Sequence, residues 1–145
     1  MTQHTQVLTF FASSSASNYD SNIPPLDVDT QIAHSLHLVK SGIQGLVILG
    51  STGEAVHITS SERSHLLSSV RQALDKEGFQ DRPIIAGTAA QSIEEVVQQL
   101  EDAKKAGAGW GLVLTPGYFA AGVQQDGIVK WFEAVADRSP IPIMV

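Results

Sequence analysis

The sequence contains no cysteine, and that absence removes disulfides, thiolate catalysis, iron–sulfur clusters and cysteine-bound zinc together. A reducing compartment, the cytoplasm, suits such a chain. Positive charge is scarce as well. Nine Lys and Arg stand against fifteen Asp and Glu, a net charge of −6, and without a basic cluster there is no electrostatic footprint for a phosphate backbone. Long apolar runs are also missing. The stretch at residues 7–12 is too short to span a bilayer and has no Lys or Arg before it, so it is expected to be a first strand rather than a signal. Neither nucleic acid nor a membrane is an expected partner. What the chain does have is 43% apolar and only 17% charged residues over 145 positions, enough to fill one core and too apolar for a disordered chain.

Residues 13–25 are rich in Ser, Asn and Pro, lack an apolar period, and form a long loop. Asp27 or Asp29 can cap a following helix whose apolar positions Val28, Ile32, Leu36 and Val39 fall at helical spacing, with Gly42 as its stop. The run Gly45-Leu46-Val47-Ile48-Leu49-Gly50 comes next, continuously apolar as a strand buried on both faces requires. The pattern then repeats. Thr59 and Glu62 form a capping box before a helix carrying Leu66, Leu67, Val70 and Leu74, and residues 83–87 follow as a strand. Ser92 and Glu95 form another capping box, opening a helix with Ile93, Val96, Val97 and Leu100; residues 110–114 are the next strand. A fourth helix over residues 124–137 turns Ile128, Val129, Phe132 and Val135 inward, and residues 141–145 begin a fifth strand.

Strands alternating with helices imply a parallel sheet with right-handed crossovers, as a doubly wound open sheet or as a barrel. Length alone favours the open sheet, since a complete (β/α)8 barrel typically needs about 250 residues. The final residues Ile141-Pro142-Ile143-Met144-Val145 weigh the other way: a domain rarely stops inside a core strand, so a cut within strand five is expected.

The sharpest motif is Gly50-Ser51-Thr52-Gly53-Glu54, directly after the second strand. Ligands of parallel α/β folds bind at the carboxyl ends of strands, and two hydroxyls with exposed amides between glycines suit a carboxylate or phosphate. The plain alternative is a Gly-containing turn with polar filler. The loops after the next two strands, Gly87-Thr88-Ala89-Ala90 and Thr115-Pro116-Gly117-Tyr118-Phe119, belong to the same end, where the Tyr118 phenol can transfer a proton or simply plug a loop or subunit contact.

Taken in order, Thr9-Phe10-Phe11, Gly50-Ser51-Thr52-Gly53-Glu54, His57-Ile58-Thr59 with Glu62-Arg63, Ala86-Gly87-Thr88 with Ser92, and Thr115-Pro116-Gly117-Tyr118-Phe119 resemble the dihydrodipicolinate synthase and N-acetylneuraminate lyase family of class I pyruvate aldolases. The Glu54-Ala55-Val56-His57 continuation is most similar to its 4-hydroxy-2-oxoglutarate and fungal 2-keto-3-deoxy sugar acid aldolase branch, and Ser51 with His57 points away from lysine biosynthesis. The resemblance implies a (β/α)8 TIM barrel, of which this chain is the amino-terminal half, strands one to five. It also implies a lysine Schiff base to pyruvate or another 2-oxo acid, forming or cleaving a bond to an aldehyde or within a sugar acid, with no cofactor and no metal. Ser51 and Thr52 match the turn that grips the 2-oxo acid carboxylate, Ser51 also matches the relay hydroxyl, and Tyr118 matches the tyrosine that reaches across a tight dimer interface. A homodimer or homotetramer is implied.

The departures are equally informative. The segment carrying the family's main proton-transferring tyrosine, and the strand bearing its Schiff-base lysine, fall after Val145 by this resemblance. Lys40, Lys76, Lys104, Lys105 and Lys130 all belong to predicted helices or their ends, so the chain by itself is expected to be inactive in Schiff-base chemistry. Phe10 stands where proline is usual. A non-catalytic half-barrel that self-associates through its open edges is the rival reading, and a flavodoxin-like phosphate binder is a third, lacking its fingerprint motifs. His34 and His37 share a helix face without a third metal ligand, and Glu54, His57, Glu62 and His65 do not make the helical zinc motif. Trp110 and Trp131 are expected to be core or helix-packing residues.

Overall fold

The computed structural model describes residues 3–118 and 122–145. Among them, strands and helices alternate as β1 (His4–Gln6), α1 (Val28–Lys40), β2 (Gly45–Ile48), α2 (Ser60–Lys76), β3 (Ile84–Thr88), α3 (Ile93–Lys105), β4 (Trp110–Val113), α4 (Gln125–Arg138) and β5 (Ile143–Met144). A single 3-10 turn at Ala55–His57 precedes α2. The helices start where their caps allow. Asp27 accepts from the Thr30 N–H at 3.0 Å to open α1. Thr59 and Glu62 form a reciprocal capping box at α2, whereas at α3 only the Ser92 half is made, by the Glu95 N–H donating at 3.2 Å. Gly42, Gly78 and Gly107 follow the first three helices with φ of +101°, +85° and +93°, the left-handed conformation that ends a helix at little steric cost.

All neighbouring strands are parallel and the sheet order is β1-β2-β3-β4-β5 without reversal. That order separates the two architectures: a doubly wound sheet reverses at a switch point, while a barrel adds every strand on the same side. The chain is strands one to five of a (β/α)8 barrel. Its register gives the sheet two unlike faces. Val7, Leu46, Ile48, Ile84 and Ala86 join Leu66, Leu67, Val70 and Leu74 of α2 in one buried cluster, each leucine contributing about 2 kcal/mol of burial. Val113 packs with Val96 and Leu100 of α3 and Val135 of α4 in a second. The row Gln6, Val47, Ile85, Trp110 runs across the opposite face, the barrel interior.

Three expectations need correction. The first strand is not residues 7–12 but His4–Gln6, whose alternating exposure disguises it; the ladder ends as the Val7 N–H donates to Val47 O at 2.9 Å, and Phe11 instead bridges Leu26 in antiparallel fashion. Trp110 is 42% exposed, because its register places it on the face the helices do not cover. Val129 is 54% exposed, lying about 100° round α4 from Ile128, while Phe132 and Val135 do turn inward. Trp131 packs as expected, edge-on to Phe132 at 5.1 Å, with its indole N–H donating to Gln91 O at 3.3 Å. No described helix is long and apolar enough to cross a membrane.

The α1 cap sets a pH dependence. The Thr30 backbone N–H, then the Thr30 hydroxyl, hold the Asp27 carboxyl below its ordinary 3.8. A folded-state value below the unfolded one stabilises the fold above 3.8 and loses that contribution as pH falls through the folded value. Thermal unfolding across the acid range should therefore fall more steeply for the wild type than for Asp27→Asn; superimposable acid limbs would contradict the assignment.

Candidate functional site

The site is built where β2 stops. Leu49 leaves the strand fully buried with φ +62°, a left-handed conformation that costs a branched side chain about 1 kcal/mol or more. The chain then folds back: the Gly53 N–H donates to Gly50 O at 3.0 Å and the Glu54 N–H to Ser51 O at 3.2 Å, with Glu54 also left-handed at φ +53°. Ser51 and Thr52 are raised into solvent at the tip, and among the described residues their amides donate to no protein acceptor. Two consecutive N–H groups without a described protein acceptor at a strand's carboxyl end are an arrangement able to hold an anion.

Neighbouring elements hold this turn. The Thr9 hydroxyl donates to Gly53 O at 2.6 Å, from a side chain that is itself buried. The Thr52 hydroxyl donates to Gln6 Oε1 on the interior face of β1. Gly87 of β3 lies so close that a Cβ there would stand 2.0 Å from Leu49 O and 2.8 Å from Gly50 N. Behind Gly87, the Arg63 guanidinium reaches from α2 to donate to the Gly87 carbonyl. Arg63 is 5% exposed, and burial lowers its pKa to about 10, leaving it charged at neutral pH.

Ser51 and Thr52 thus share one turn. Tyr118 sits on the loop after β4 at the same end; its backbone N–H donates to Gln91 Oε1 at 3.0 Å and its side chain is 80% exposed. Phe119, the last member of its motif, lies outside the described residues. Glu62 closes the α2 cap, His65 is exposed, and His34 packs edge-on to Phe10 with ring centroids 5.2 Å apart. All five lysines are exposed: Lys40 pairs with Glu77 at 2.7 Å and Lys105 with Asp102 at 3.2 Å.

Sequence reasoning missed several supports. Nothing in composition marks Gln6, whose role follows only from pairing with Val47. Gln31 is another: its side-chain carbonyl accepts from the Phe10 N–H at 3.3 Å, satisfying a donor that a proline at this position would not have. Beside the turn a cavity of about 500 Å3 lies between the β1–α1 loop and the start of α2, lined by Phe11, Tyr19, Ile23, Glu54, His57 and Glu62 among others, but not by Ser51 or Thr52.

With this geometry in hand, likeness to known proteins becomes informative. Residues 24–145 match the dihydrodipicolinate synthetase family. A protein of Emericella nidulans named as a probable mitochondrial 4-hydroxy-2-oxoglutarate aldolase is 42% identical over 120 residues, covering 83% of this chain and 39% of that one. The L-threo-3-deoxy-hexylosonate aldolase of Hypocrea jecorina is also 42% identical over 120 residues, covering 83% and 38%. A crystal structure of a dihydrodipicolinate synthase family protein from Coccidioides immitis superposes with a TM-score of 0.79 at 35% identity, over 97% of this chain and 41% of that chain. The chain spans about two fifths of the length of these relatives.

The close approach at Gly87 is directly testable. Gly87→Ala forces the Leu49 carbonyl away and should cost about 3 kcal/mol or more in chemical denaturation, while Gly109→Ala, with nothing within 4 Å of the added Cβ, should change stability little. Equal effects of the two substitutions would contradict the packing described.

Proposed function

We propose, from the premise that the chain belongs to the dihydrodipicolinate synthetase family, that it is the carboxylate-gripping portion of a class I aldolase or lyase acting on pyruvate or a related 2-oxo acid. The single observation that carries this reading is the raised Ser51–Thr52 tip with its unpaired amides. Those N–H groups neutralise a carboxylate without a metal, and they stand ready before the substrate arrives, so little reorganisation is needed. The Thr52 hydroxyl is committed to Gln6, which leaves Thr52 to bind through its amide and Ser51 to offer both an amide and a free-standing hydroxyl. Ser51 is the relay group, passing a proton as the bound 2-oxo acid becomes an enamine, and Tyr118 is the phenol that serves the site of a second subunit in a homodimer or homotetramer. Its exposed side chain suits that role.

The nucleophile belongs to a part of the whole barrel other than these residues. Every lysine here lies on a helix or helix end, away from the strand ends where a carbonyl carbon would sit. Residues 1–145 act as a partial barrel domain, with no cofactor. The bond made or broken joins the methyl carbon of pyruvate to an aldehyde carbon, and the names of the Emericella and Hypocrea relatives favour a hydroxy-oxo acid or a deoxy sugar acid as the compound cleaved. The cytoplasm is the compartment proposed from the cysteine-free composition, against the mitochondrial designation of the Emericella relative; fractionation distinguishes them.

A second reading, a non-catalytic half-barrel that self-associates, is favoured by the exposed Trp110 on the uncovered sheet face. It expects 2-oxo acid binding without covalent trapping, together with a stable oligomer in sedimentation.

Intact mass after incubation with pyruvate and borohydride tests the assignment of the nucleophile. The 15.5 kDa chain should carry no pyruvyl adduct, and a longer product should carry one; an adduct on the 15.5 kDa chain would overturn it. In a pyruvate titration Ser51→Ala, which removes the hydroxyl and keeps the amide, should weaken binding by less than about tenfold. A complete loss would place the main grip on the hydroxyl instead.

A further inference from the structure

Arg63 is an expensive residue to keep. It is 5% exposed, its Nη1 is buried without a partner among the described residues, and no carboxylate pairs with it; its described hydrogen bond is the one from Nη2 to Gly87 O. Burying a charge with unused donors is destabilising unless the contact it does make is worth more than the desolvation. The place of that contact identifies what is gained. The Gly87 carbonyl belongs to the residue of β3 whose Cα lies close against Leu49 O and Gly50 N, and those atoms begin the turn that raises Ser51 and Thr52. Leu49 is held in a left-handed conformation that the rest of the structure must enforce. A charge-assisted bond to the Gly87 carbonyl fixes β3 behind that strained residue.

We propose that Arg63 is the positioning residue of the anion cradle: through Gly87 it holds the Leu49–Gly53 turn in the shape that keeps the Ser51 and Thr52 amides aimed at a ligand. The inference rests on the reading of that turn as a carboxylate cradle, and it adds a residue that touches neither substrate nor turn. The contact is single-pronged, one nitrogen on one carbonyl oxygen, so lysine can replace arginine here to a degree that it cannot at a forked site.

The test compares amide hydrogen exchange in the full chain and two variants. The Gly53 and Ala55 N–H groups both donate to Gly50 O and report whether the turn is closed. Arg63→Met should speed exchange at both about tenfold or more, with the amides of α4 unchanged, and Arg63→Lys should recover most of the protection. Unchanged exchange in Arg63→Met, or a loss that lysine does not recover, overturns the proposal. If Arg63→Met does not fold, the wild type answers instead. Added pyruvate should move the Arg63 guanidinium resonances along with the Ser51 and Thr52 amides, and movement of the amides alone overturns the proposal. A wild type that binds no pyruvate defeats the functional reading, while the exchange comparison still decides the role of Arg63.

Discussion

Gly87 touches Leu49 and Gly50 more closely than any side chain would permit, and this contact sets the arrangement at the carboxyl end of the sheet. β3 comes that near where β2 ends: Leu49 takes a left-handed conformation, and the residues after it fold back under hydrogen bonds to Gly50 and Ser51. The result is an exposed tip whose two amides, among the described residues, donate to no protein acceptor.

The supports of the tip come from two different strands and two helices. Thr9 after β1 fixes Gly53, Gln6 on β1 fixes the Thr52 hydroxyl, and Arg63 on α2 fixes Gly87 on β3. On α1, Gln31 secures the segment carrying Thr9 by accepting from Phe10. This is why a barrel suits the chemistry: sequential parallel strands deliver their carboxyl ends to one rim, and the helices behind them can brace that rim without entering it. Buried polar groups cluster there, with Thr9, Gln31, Arg63 and Thr88 among the few buried polar side chains.

Much of this was legible in the residues. The capping signals at Asp27 and Thr59, the glycine stops, and the apolar runs of β2 and β3 mark the order of elements, since local hydrogen bonding and two-sided burial leave plain marks in sequence. The Ser51–Thr52 turn stood out for its position after a strand. What escaped was whatever depends on register. β1 carries no apolar pattern because it is an edge strand with His4 and Gln6 on its open face, and the exposure of Trp110 leaves no mark in the sequence because composition does not say which face of a sheet a helix covers. The braces Gln6, Gln31 and Arg63 are polar residues whose partners lie 46, 21 and 24 positions away, beyond any local pattern.

The most direct test of the account is a crystal structure of the chain with pyruvate. The account predicts the carboxylate within hydrogen-bond distance of the Ser51 and Thr52 amides, with the Gly87 contact to Leu49 unchanged. Pyruvate found instead in the cavity bounded by Tyr19, Glu54 and His57, with the Ser51–Thr52 tip empty, would contradict it.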